Sequence, residues 1–127
     1  MIYDNREAVH AMYSVAVYEK NVVLKRIRSV ISRVQDASSA LLEVYLEQFL
    51  RIILKKMNSK KRIYEINLHT LQESKKLLEE RELKSSLSKE DIEYKNSLGD
   101  AIAAYENLIA TLEIEMELLS ENGGEES

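Results

Sequence analysis

The chain has 127 residues, 45% hydrophobic and 31% charged, with a formal net charge of −4. That length fits one domain, and the composition is that of an ordinary globular protein, which excludes wholesale disorder. No stretch approaches the ~20 apolar residues of a membrane span, and the absence of cysteine excludes disulfides, thiolate metal sites and Cys nucleophiles.

Proline is absent and only three glycines are present, two of them at Gly123 and Gly124. So few helix breakers predict an all-α bundle of long amphipathic helices spanning residues 1–120 as one domain. No basic leader with an apolar run opens the chain, so a cytoplasmic location is expected, or a nuclear one in a eukaryote.

The first helix is expected to start at Asp4, with Glu7 three residues on to close a capping box. Its 4–3 stripe is Val9, Tyr13, Ala16, Lys20, Val23, Ile27, Val30 and Val34, with Lys20 the misfit, laying its aliphatic stem along the stripe. Asp36-Ala37-Ser38-Ser39 reads as a turn and a new cap.

The second stripe runs Leu46, Leu50, Ile53, Met57, Lys61, Tyr64, Leu68, Leu71, Lys75 and Leu78. Asn58-Ser59 offers a possible break, because both side chains compete for backbone hydrogen bonds. The register nevertheless survives across it, which favours one helix from about Ser39 to Arg81. Leu42, Phe49, Ile52 and Leu54 widen the apolar face, so 42–57 is expected to be the most buried segment.

The third helix has the clearest start. Ser88 is the cap and Asp91 sits at the third helical position, with Leu87 and Ile92 placed as a hydrophobic staple. Its stripe is Leu98, Ile102, Tyr105, Ile109, Leu112, Met116 and Leu119, and Gly99 beside it would allow a close helix approach. The helix is expected to end near Ser120, leaving Glu121–Ser127 as a short disordered acidic tail. Seams this apolar seek other helices, so protein partners and a homo- or hetero-oligomer are expected.

Charge divides the chain. Residues 1–62 carry net +6 and residues 63–127 net −10. The densest basic run is Arg51, Lys55, Lys56, Lys60, Lys61 and Arg62, and these six are the candidate partner-binding residues. The densest acidic run is Glu113, Glu115, Glu117, Glu121, Glu125 and Glu126. Opposite halves imply internal pairing, head-to-tail packing or a patterned partner, against the plainer reading of solvated helix faces.

No Gly-rich phosphate loop, nucleophile elbow or HExxH is present. Glu7–His10 is one E-x-x-H and Glu65–His69 an i,i+4 pair, far short of a di-metal carboxylate set. Of the seven tyrosines, Tyr13, Tyr64 and Tyr105 lie on stripes and are expected in the core. No catalytic residue, cofactor or metal is therefore expected, and a binding or scaffolding role is the default.

The run from Leu46-Glu47-Gln48-Phe49-Leu50-Arg51 through Lys60-Lys61-Arg62-Ile63-Tyr64-Glu65-Ile66, followed by Ser85-Ser86-Leu87-Ser88-Lys89-Glu90-Asp91 to Tyr94, makes residues 42–106 resemble the helical domain of a GINS replication subunit. It implies a non-enzymatic subunit of a tetramer bridging the replicative MCM helicase and its associated factors. Two other classes fit the residues. One is a small helical subunit of an RNA-guided, type III CRISPR-like nucleoprotein, with the basic run tracking RNA phosphates. The other is a helical inhibitor or immunity-type protein, with the acidic run facing a basic target. Among partners, the basic run favours an acidic protein surface over nucleic acid, and no membrane is expected.

Overall fold

A computed structural model describes residues 6–36 and 40–122, with side chains placed at 6–29, 32 and 51–120. The described residues form an all-α bundle of α1 (Arg6–Asp36), α2 (Ala40–Lys84) and α3 (Lys89–Asn122). The Asp4 cap, Ser38-Ser39 and the tail beyond Asn122 lie outside them. Asn58-Ser59 does not break α2. Ser59 donates its hydroxyl to the Lys55 carbonyl at 3.3 Å inside a continuous 45-residue helix, which spans about 67 Å at ~1.5 Å per residue.

Ion pairs fix the directions. Arg6 lies beside Glu93 and donates to the Glu90 carbonyl, while Arg26 meets Glu115, so α1 runs parallel to α3. Lys61–Glu113, Arg81–Asp91 and Lys95–Glu82 set α2 antiparallel to α3. α3 is the hub, packing along both other helices. Among the described residues, α1 and α2 reach each other through long side chains: Tyr64 donates to Glu19 at 2.7 Å, and Lys60 lies 3.7 Å from it.

Each outer helix therefore buries one residue per heptad. On α1 these are Val9, Ala16 and Val23; on α2 they are Met57, Tyr64, Leu71 and Leu78. The flanking positions Met12, Ile27, Ile53, Leu54 and Leu68 are half-buried. Tyr13, expected in the core, is exposed instead, because α1 needs only its single Val9-Ala16-Val23 line against α3. Most of 42–57, expected to be the most buried segment, lies outside the described side chains; within 51–57 Met57 is buried and Ile53 and Leu54 are half-buried, but Ile52 is not. Ile52 is 59% exposed, because it lies on the side of α2 away from α3.

α3 touches two neighbours and buries both positions of its heptad: Tyr94, Leu98, Ala101, Tyr105, Leu108, Leu112, Glu115 and Leu119. This seam differs from the expected one at alternate positions. Ala101, Leu108 and Glu115 point to the centre, while Ile102 and Met116 pack from the side and Ile109 is buried beside the seam. The apolar demand that suggested self-association through 98–119 is thus met inside the chain.

The start of α3 follows its cap. The Asp91 N–H donates to Ser88 Oγ at 3.1 Å, and the Ile92 N–H donates to the Ser88 carbonyl at 3.0 Å. The staple is half formed: Leu87 packs on the core, whereas Ile92 is exposed. The Asp91 carboxylate is held by Arg81 at 3.1 Å. Gly99 makes no close approach, since a Cβ there would meet only the tip of Lys75, at 4.0 Å.

Candidate interaction surface

The basic run 51–62 lies on α2, and the bundle divides it. Lys61 faces α3 and pairs with Glu113 at 2.9 Å; that hydrogen bond raises its pKa, with burial opposing it and the charges of Glu113 and Glu65 adding to it. Lys60 faces α1 and Glu19. Part of the basic half and part of the acidic half therefore neutralise each other within the monomer. Lys55, Lys56 and Arg62 are exposed, and no ion pair forms to them among the described residues. Arg51 is exposed beside them.

Between these cations stand apolar side chains: Ile52, expected on the inner face, and Ile63 and Ile66, which lie off the main stripe. Ile52, Ile63 and Ile66 are 59%, 55% and 65% exposed, and Leu77 continues the same side of α2. A purely solvated face would carry few large β-branched residues. Three isoleucines among lysines and an arginine make a mixed apolar–cationic surface. The signal in the sequence is an Ile/Leu series offset from the main stripe.

The acidic run is divided in the same way. Glu113 is spent on Lys61, and Glu117 is exposed. Glu115 is buried, with its side chain 2% exposed, and takes a two-pronged hydrogen bond from Arg26, Nε at 2.9 Å and Nη2 at 3.1 Å. That bond raises the Arg26 pKa, with burial opposing it. Ten residues before Glu115 on α3, Tyr105 meets Tyr64 as a tilted pair with centroids 6.2 Å apart, and Asn67 donates to the Tyr105 hydroxyl at 3.4 Å. Burial, then the hydrogen bond to Glu19, push the Tyr64 phenol above its usual range. Together these polar contacts tie all three helices to one another.

A shallow cleft of about 300 Å³ lies between α1 and α3, lined by Tyr13, Val17, Lys20, Asn21, Asp100 and Asn107. His10 and His69 are exposed on different helices. Among the described residues no group of three or more His, Asp or Glu is arranged around a metal position, and no helix is long and apolar enough to cross a membrane. No family model, curated protein or solved structure matches the chain.

Proposed function

We propose that this protein is a non-catalytic helical subunit of a protein assembly, and that the outer face of α2 is its docking surface. One observation carries this reading: Ile52, Ile63 and Ile66 stand exposed among Lys55, Lys56 and Arg62, cations with no ion-pair partner among the described residues. The isoleucines supply area worth burying, and the cations select acidic groups on the partner. A GINS-like replication subunit, suggested by the likeness over 42–106, is one concrete form of such a scaffold.

Nucleic acid is the poorer match. The cations alternate with isoleucines, so a phosphate backbone would lie against apolar side chains, and among the described residues of α2 no exposed aromatic side chain is interleaved for base stacking. The molecule's negative net charge also opposes a polyanion.

The test is the triple variant Lys55→Glu, Lys56→Glu, Arg62→Glu. All three sites are exposed, so the circular dichroism spectrum should match the wild type. Binding of the wild type to duplex DNA, single-stranded DNA and RNA is measured in parallel across salt. Proteins captured from the native host by the wild type and lost with the triple variant support the reading. Tight, salt-sensitive nucleic-acid binding that the same change abolishes overturns it in favour of a nucleoprotein role.

A further inference from the structure

Beyond its inner seam toward α3, α2 carries a second seam. Ile52, Lys56, Ser59, Ile63, Ile66, Thr70, Glu73 and Leu77 recur at alternating spacings of four and three, and every one of them is exposed. Alternating four–three spacing keeps side chains on one line of a helix that supercoils with a partner. The line is about 37 Å long at ~1.5 Å per residue.

The seam is also a palindrome in chemical character. About the midpoint between Tyr64 and Glu65, Ile52 is the mirror of Leu77, Lys56 of Glu73, Ser59 of Thr70, and Ile63 of Ile66. Each layer pairs like with like, or a cation with an anion. A two-fold interface requires this, because residue i meets j while j meets i. An antiparallel pair of α2 helices crossing at 64/65 would place Ile63 and Ile66 at the centre. Two equivalent Lys56–Glu73 pairs would flank them, with Ile52–Leu77 layers outside. Ser59 and Thr70 already give their hydroxyls to the carbonyls of Lys55 and Ile66, at 3.3 and 3.0 Å, so burying them orphans no donor. On α1, Val15 is 50% exposed; it lies four residues before Glu19, which reaches Tyr64, and so adds apolar surface beside the centre.

We infer that the occupant of this face is a second copy of the chain, docked antiparallel along α2 with its two-fold axis between residues 64 and 65. The inference rests on the docking-surface reading above and names the partner. A uniformly acidic helix would satisfy Lys56 but meet Glu73 at the far end. The second copy supplies the matching charge at both ends.

Three measurements decide it. In sedimentation equilibrium the wild type should move from one chain mass, 14.7 kDa, toward two as concentration rises. Ile63→Glu with Ile66→Glu should stay at one chain mass with an unchanged dichroism spectrum. Lys56→Glu alone and Glu73→Lys alone each place like charges opposite each other twice per dimer, and should weaken association about tenfold. The double variant Lys56→Glu/Glu73→Lys should recover to near the wild type.

Because the chain has no cysteine, single introduced thiols report register cleanly. Ser59→Cys chains mixed with Thr70→Cys chains should oxidise to a linked dimer, while neither chain alone should do so. A wild type that keeps one chain mass at every concentration overturns the inference. So does a double charge variant no better than the singles, or linkage of Ser59→Cys chains to themselves, which would mean a parallel pair. A monomer would leave docking of a different protein standing. Nucleic-acid binding lost in the triple variant would strike the docking-surface reading itself.

Discussion

The buried Arg26–Glu115 pair gives an asymmetric prediction. Arg26 keeps 39% of its side chain exposed, whereas Glu115 keeps 2%. Replacing Arg26 by Met strands a carboxylate in the centre of the bundle without its two donors. Breaking a buried pair in this way costs about 3–5 kcal/mol. Replacing Glu115 by Leu leaves Arg26 unpaired, but its guanidinium has water within reach. The leucine also continues the line of Leu108, Leu112 and Leu119, so this change should lie within about 1 kcal/mol of the wild type, on either side. The double variant should resemble Glu115→Leu rather than the sum of the two. Urea unfolding followed by helical dichroism reads these differences. By melting, Arg26→Met should lose roughly 3–5 °C for each kcal/mol in a chain of this size. Equal costs for Arg26→Met and Glu115→Leu would refute the argument, because they would mean that Glu115 can reach solvent.

Ser88→Ala removes the acceptor for the Asp91 N–H and should cost about 1 kcal/mol in thermal unfolding. Gly99→Ala sits inside α3 with nothing nearer than 4.0 Å to the new methyl group, and should gain about 0.5–1 kcal/mol. The raised Tyr64 and Lys61 pKa values mean that the folded chain holds those protons more tightly than the unfolded one. Their contribution is therefore complete below about pH 10, where the unfolded groups begin to titrate, and is lost as pH rises above that. The urea midpoint should fall on going from pH 9 to 11, less steeply in Tyr64→Phe, and ultraviolet absorbance should show one tyrosine ionising above the rest.

The helices themselves were legible in the sequence because their signals are local. A chain without proline, a continuous stripe through Asn58-Ser59 and the Ser88 cap each act within a few residues. The inward positions of α3 were harder to read. Reading hydropathy alone favours Ile102 over Ala101 and Met116 over Glu115. The burial of Glu115 is decided by Arg26, 89 residues away. The clue was a single acid interrupting the run Leu108, Leu112, Leu119, with an arginine three residues after the buried Val23. The basic run was found, but its division was not visible, since only the bundle shows that Lys60 and Lys61 turn toward acids on other helices. The isoleucines of α2 were overlooked because one stripe already accounted for the helix, and Ile52 was assigned to it.

The central place of α3 also bears on the order in which the chain folds. α2 and α3 are joined by the short connection at 85–88, and Arg81–Asp91 closes a loop of only ten residues, so this hairpin zips up from neighbouring contacts. α1 must instead find α3, across separations such as the 89 residues between Arg26 and Glu115. Closing so long a loop costs entropy, which contacts with a preformed surface must offset. The hairpin is therefore the template and α1 the late arrival. A core truncation such as Leu78→Ala should slow refolding, whereas Val9→Ala should mainly speed unfolding.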